Sequence, residues 1–128
     1  MATSERLARH WFALVQHRAF EQLTELLHED VRLVSKMQAG TVVEGRADAA
    51  AFIQGAVATS LYEAVTDVYT PLDDDRVIVE GRIRWIDDER VIRDDPVVWA
   101  MEFRDGLLLT FVPARTTVEA ETILASPR

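Results

Sequence analysis

The sequence predicts an α+β fold in which three N-terminal helices pack on a curved antiparallel sheet and enclose an apolar pocket. Two observations predict it. Apolar residues recur at helical spacing as far as Leu61 and alternate after Tyr62, and a change of period from 3.6 to 2 marks the passage from helix to strand. The stretches that follow are separated by short clusters of turn formers, which makes consecutive strands antiparallel neighbours. Helices first and a meander of strands afterwards describe a sheet that bends around the helices, and they disfavour a doubly wound parallel fold.

The first helix is expected to start at Ser4, whose hydroxyl can cap free amides, with Glu5 at the positive end of the dipole. Leu7, Trp11, Leu14 and Val15 then share one face to about Gln16. A shorter second helix carries Phe20, Leu23, Leu26 and Leu27 on one side and should end between His28 and Asp30. Residues 31–35 and 41–44 are β-prone and read as a loose hairpin through Ala39-Gly40, ended by Gly45. Residues 47–61 are alanine-rich, with Phe52, Ile53, Ala56, Val57 and Leu61 at helical spacing. Gly55 weakens this third helix by about 1 kcal/mol relative to alanine.

Four strands are expected at residues 63–70, 76–86, 97–104 and 107–118. Pro71 with Asp73-Asp74-Asp75, then Asp87-Asp88-Glu89, then Asp105-Gly106 separate them, the last being the strongest hairpin signal. The acidic clusters lack calcium-loop spacing and read as solvated turns, so no metal site is expected. The chain is expected to form one domain over residues 1–128, with residues 125–128 a loose tail.

In residues 76–86 the odd positions Val77, Val79, Gly81, Ile83 and Trp85 are apolar or small, whereas Glu80, Arg82 and Arg84 are charged. One face is therefore buried and the other wet. Val97, Trp99, Met101 and Phe103 form the apolar set of the next strand. The last strand, from Leu107 to Val112, is apolar on both faces. Its second face needs cover, and a partner subunit is the simplest supplier, which predicts a homodimer through the sheet.

Charge narrows the partners. The formal net charge is -8, with 22 acidic residues against 14 basic ones, which repels phosphate backbones and anionic lipid surfaces. Arg82, Arg84, Arg90 and Arg93 are interleaved with carboxylates, so neither nucleic acid nor membrane is expected as a partner. There is no cysteine, hence no disulfide or thiolate chemistry. The first twenty residues lack a signal-like apolar run, and a cytoplasmic protein is the default expectation.

Several strings resemble the nuclear-transport-factor-2-like superfamily of SnoaL-like polyketide cyclases, ketosteroid isomerases and limonene epoxide hydrolases. They are Leu26-Leu27-His28-Glu29-Asp30-Val31, Val43-Glu44-Gly45-Arg46, Phe103-Arg104-Asp105-Gly106 and Glu119-Ala120, in the family's order over nearly the whole chain. The resemblance implies a cystatin-like α+β barrel and a small apolar, steroid-like or polyketide-like partner. It does not carry the chemistry across. The ketosteroid isomerase base would fall near Ser35, its tyrosine near His10 or Trp11, and its aspartic acid near Trp99. The aspartate of SnoaL-like cyclases would fall near Thr116, and Arg82 or Arg84 lacks the aspartate two residues away that a limonene epoxide hydrolase would need.

His10, beside Trp11 on the first helix, is the one candidate acid/base, since histidine titrates near neutrality. The alternative is an exposed helix histidine. His17 and His28 are expected to cap helix C-termini. Trp11, Val15, Phe52 and Tyr62 are candidate pocket residues from the first half of the chain. Tyr69, Trp85, Trp99, Met101, Phe111 and Arg115 complete the set from the sheet, Arg115 as a clamp for a carboxylate. The tryptophans either line a ligand cavity or fill the core. Three readings remain open: a small-molecule binder with no inherited catalytic set and no cofactor; a lyase, isomerase or polyketide cyclase-type enzyme using His10; and a dimeric interaction module. A cavity well below ~300 Å³ would favour the third.

Overall fold

The computed structural model describes residues 1–35 and 40–126. Helix α1 (Thr3–Gln16) and the short α2 (Phe20–Glu25) lead into strand β1 (Leu27–Ser35) and β2 (Thr41–Glu44). Helix α3 (Arg46–Phe52) continues through a π turn at Ile53–Val57, and β3 (Tyr62–Pro71), β4 (Arg76–Ile86), β5 (Ile92–Arg104) and β6 (Leu107–Ala114) follow. A fourth helix, α4 (Thr117–Ala125), ends the described chain.

One six-stranded sheet runs in the order β2-β1-β6-β5-β4-β3. The meander from β3 to β6 is antiparallel as expected, and β1 forms the expected antiparallel pair with β2. Beside β6, however, β1 runs parallel. Ala39 of the expected hairpin connection lies outside the described residues.

The turn chemistry acts as its residue types dictate. Asp105 and Gly106 both take positive φ, 55° and 77°, the backbone of a primed two-residue hairpin turn. Asp73 Oδ1 accepts from the amides of Asp75 and Arg76 at 2.9 and 2.8 Å. Asp87 Oδ1 accepts from those of Glu89 and Val91, both at 2.9 Å. These acidic clusters are turn caps, and no cluster able to hold a metal ion occurs among the described residues.

The sheet carries three irregularities. The β3–β4 register slips between Thr66 and Val68, the β5–β6 register between Glu102 and Phe103, and the β1–β6 register between Leu27 and Arg32; such irregularities bend and twist a sheet. At the first, Gly81 lies so close to the Val65 carbonyl that a side chain there would collide with it, and the Trp99 ring stands 3.1 Å from where a Cβ would be. The tight crossing lets the sheet fold over the aromatic side chains.

Four expectations are corrected. Ser4 does not cap α1: it lies one residue inside the helix, is fully buried, and its Oγ donates to the Asp73 carbonyl at 2.6 Å, tying the helix to the β3–β4 turn. The second helix stops at Glu25. Leu27 to Asp30 belong to β1 because Leu108 donates to the Leu26 carbonyl at 2.7 Å and draws the chain into the sheet; His28 is thus a strand residue, its Nδ1 accepting from Asp30 N at 3.0 Å. His17 stands at the C-cap position of α1, its backbone amide donating to the Ala13 carbonyl at 3.0 Å. The last strand ends at Ala114, not at residue 118, because Thr116 Oγ1 accepts from Glu119 N at 3.1 Å and starts α4, which also takes Ala125 from the expected tail. Finally, the second face of the last strands is covered within the chain. Ile78, Val98, Ala100 and Ala114 pack against Ala120 and Leu124 of α4, so that face does not need a partner subunit.

The inner face of the sheet holds the main core with α1, α2 and α3. Val77, Val79, Ile83, Val97, Trp99, Met101 and Phe103 are buried there, the set that alternation assigns to the interior. Half-buried Trp85 packs at the edge of this core.

Candidate functional site

A cavity of about 100 Å³ lies between the inner sheet face and the helices. Its floor is aromatic. Phe12 lies 4.7 Å from Trp99, Trp99 stacks on Phe111 at 6.4 Å with the planes 9° apart, and Trp11 meets Phe111 at 5.9 Å. Val15 of α1 and Leu23 of α2 close one side, and Leu33, Val34 and Ser35 from β1 another. Phe52, Ile53 and Val57 supply the roof, at the point where α3 widens into its π turn. In a regular helix positions 52 and 57 would drift around the axis; the wider turn brings both to the cavity. Tyr62, Ala64 and Ile83 complete the wall.

Of the pocket residues expected from the sequence, the fold therefore brings together Trp11, Val15, Phe52, Tyr62, Trp99 and Phe111. It keeps the others away. His10 is exposed on the solvent side of α1, because consecutive helix residues diverge by about 100° and Trp11 occupies the inward position. Tyr69 packs on Phe12 and lies under the Arg9 guanidinium at 4.1 Å, its hydroxyl donating to Thr66 Oγ1 at 3.0 Å. Trp85 turns its Nε1 to Asp95 Oδ2 at 3.3 Å. Met101 is fully buried beneath the floor. Arg115 is exposed before α4, its backbone amide donating to Glu119 Oε2 at 3.1 Å, and it is not among the residues that line the cavity. Residues missed include Phe12, Leu23, Leu33, Ile53, Val57 and Ile83; the spacing of Leu23, Ile53, Val57 and Ile83 marked them for the core, and only the fold distinguishes core from lining.

The lining carries little polarity. Ser35 is one hydroxyl, and Trp11 Nε1 is a buried donor with no hydrogen-bond partner among the described residues. Among the described residues, Tyr62 is the one ionisable side chain in the wall. Burial pushes its phenol up to about 12, and the nearby Arg18 charge opposes this more weakly. Of the positions where the resemblance would place ketosteroid isomerase groups, Ser35, Trp11 and Trp99 border the cavity, whereas His10, the alternative to Trp11, does not.

A profile of the SnoaL-like domain matches residues 8–111. The chain belongs to the SnoaL-like family. Among solved structures, the fold is shared with a Mycobacterium tuberculosis protein crystallised with estradiol-17beta-hemisuccinate, at 14% identity and a TM-score of 0.76, covering 91% of this chain and 95% of that one. A Burkholderia pseudomallei NTF2-like protein aligns at 20% identity and a TM-score of 0.75, over 98% and 100% of the two chains. The delta 5-3-ketosteroid isomerase from Mycobacterium sp. aligns at 14% identity and a TM-score of 0.73, over 92% and 96%. A search of curated proteins returns no match. At these identities the likeness of this SnoaL-like chain to the solved structures is one of fold.

Proposed function

We propose that this SnoaL-like protein binds a small apolar molecule, and that its cavity does not perform acid–base catalysis. The lining carries this reading: among the described residues it holds no carboxylate, histidine, lysine or arginine, and its one ionisable group, Tyr62, stays neutral at physiological pH. A general acid or base works best with a pKa near the operating pH, which leaves the His10 enzyme without a reacting partner in the cavity. The steroid-like ligand of the Mycobacterium tuberculosis neighbour supports an apolar ligand class.

Size limits the occupant. The cavity, at about 100 Å³, falls below the ~300 Å³ of a metabolite pocket and is nearer the roughly 150 Å³ that takes up benzene in an engineered core. One ring or a short chain fits inside, and a steroid-like or polyketide-like body would extend out of it. A ligand acceptor reaching Trp11 Nε1 would satisfy that orphaned donor, which burial otherwise leaves at a cost of about 1–3 kcal/mol.

The same small volume favours the interaction module as a second reading, and titration of tryptophan fluorescence with cyclohexanol and with estradiol separates the two. Wild type is expected to bind at least one of them, Val57→Trp to lose that binding by filling the cavity, and His10→Ala to keep it. No binding by wild type would leave the interaction module. We also propose that the chain pairs as a homodimer through the part of the outer sheet face that α4 leaves bare, where exposed Val65 and Val68 lie near Arg82 and Arg84, both paired with Asp94; a monomer mass by light scattering at micromolar concentration would refute it. No helix among the described residues is long and apolar enough to cross a membrane.

A further inference from the structure

The C-terminus of α1 is built in an uneconomical way. Arg18 N donates to the Val15 carbonyl at 3.0 Å and Ala19 N to the Leu14 carbonyl at 2.9 Å, the paired bonds of a Schellman motif with Arg18 at the left-handed position. Glycine usually stands there. Arg18 takes φ 55° instead, which costs a residue with a Cβ of order 1 kcal/mol or more. The backbone gains nothing from an arginine at this point, so the reason lies in the side chain.

That side chain reaches the rim of the cavity. Its Nη2 donates to the carbonyls of Ala58 and Ser60 at 2.9 and 3.2 Å, and the guanidinium carbon lies 4.8 Å from the Phe20 ring centre and 5.9 Å from that of Tyr62. Two carbonyls and two rings thus hold a cation in one place. Nε and Nη1 donate to no protein group among the described residues, leaving donors for a further acceptor.

Where those donors lie decides what they can meet. A second groove of about 440 Å³, open to solvent, runs between the end of α1 and the free edge of β3. It shares Val15, Tyr62 and Ala64 with the inner cavity, so these three residues are a common wall and Arg18 stands just outside it. Among the described residues, Arg18 is the one cation of the groove's lining and Glu63 its one carboxylate. Glu63 sits opposite Arg84 across the β3–β4 ladder, on the parity opposite to the inward Ala64, which directs its charge to the outer sheet face. The groove is thus cationic where it adjoins the cavity.

We propose that Arg18 is an anion anchor, and that the ligand class is a small apolar carboxylic acid with its single ring or short chain in the inner cavity and its carboxylate on Arg18 Nε and Nη1. This assignment rests on the reading of the cavity as a ligand site and adds the polar end that the cavity itself lacks. Tyr62 belongs to both compartments, with its ring centre 5.9 Å from the guanidinium carbon, and so marks where such a ligand would pass from one to the other.

The test is calorimetric titration of 3-phenylpropionate and its neutral counterpart 3-phenylpropan-1-ol into wild type, Arg18→Gly and Arg18→Lys at low salt. Wild type is expected to bind the acid about tenfold more tightly than the alcohol, as a charge-assisted hydrogen bond to a fixed cation warrants. Arg18→Gly, which relieves the left-handed backbone, should bring the acid to the level of the alcohol without weakening the alcohol, and Arg18→Lys should keep part of the preference. Equal binding of acid and alcohol by wild type overturns the anchor and leaves the cavity reading standing. A parallel loss of both compounds in Arg18→Gly also overturns it, reducing Arg18 to a brace for the end of α3. Failure of wild type to bind either compound overturns the cavity reading itself.

Discussion

Tyr62 offers a measurement of the cavity wall that needs no ligand. Its phenol, near 10 in an unfolded chain, is pushed up to about 12 in the fold because burial penalises the phenolate more than Arg18 favours it. The folded state therefore keeps a proton that the unfolded state loses between these values, and stability falls as pH rises wherever the native state binds more protons. The contribution is present in full below about pH 10 and is lost as pH climbs to about 12. At roughly 1.4 kcal/mol per pKa unit the loss comes to about 2–3 kcal/mol. Urea unfolding of wild type and Tyr62→Phe, followed from pH 9 to 12, isolates it, because every other titrating group is common to both proteins. At pH 7 the two should be nearly equal in stability, since the Tyr62 hydroxyl has no hydrogen-bond partner among the described residues to lose. With rising pH the wild type should weaken and the variant should not follow. Curves that stay parallel over this range would show that Tyr62 is solvated and refute its burial in the cavity wall.

Gly81→Ala should destabilise by about 1–3 kcal/mol or more, because the new methyl meets the backbone carbonyl of Val65 and the ring of Trp99 rather than a flexible side-chain tip; thermal unfolding within 2 °C of wild type, roughly half a kcal/mol for a chain of this length, would contradict the crossing. Leu124→Ala should cost about 2–5 kcal/mol and expose the outer apolar patch around Ile78, Val98 and Ala100, read out by denaturant midpoint and by binding of an apolar dye. Ser4→Ala should cost about 1–2 kcal/mol by leaving the Asp73 carbonyl without its donor, measured by the same unfolding curves.

The fold was legible where a pattern reports one interaction. Alternation of Val77, Val79, Ile83 and Trp99 separates an apolar side from a wet one, and Asp105-Gly106 can satisfy its turn only with positive φ. It was illegible where two local readings compete. Leu26 and Leu27 continue the spacing of Phe20 and Leu23, yet the Leu108 amide turns this segment into a strand by a contact eighty residues away, which no local period contains. The C-terminal helix was in principle readable, because Thr116-Thr117-Val118-Glu119 has the serine-or-threonine, two residues, glutamate spacing of a capping box. Apolar continuity from Leu107 to Val112 masked it, and the need for cover on that face was assigned to a second subunit instead of to the next element.

The site shows the same divide, with a consequence for how such pockets are recognised. Large aromatic residues at inward positions, Trp11, Trp99 and Phe111, were found because burial and lining demand the same chemistry. Arg18 carries no such signal, because, read locally, a charged residue after a helix is an ordinary C-terminal neighbour. Its significance lies in a mismatch that only the backbone discloses: a residue with a Cβ at the position where glycine is cheapest. A locally unfavourable choice persists when a distant interaction offsets it, and here the distant partners are two carbonyls beyond the π turn and the ring of Tyr62. The same contact spans the gap between α1 and the end of the cavity roof. Strain at Arg18, the widened turn at Ile53–Val57 and the shared wall at Tyr62 thus belong to one end of one cavity, and that convergence gives the functional reading a place in the fold.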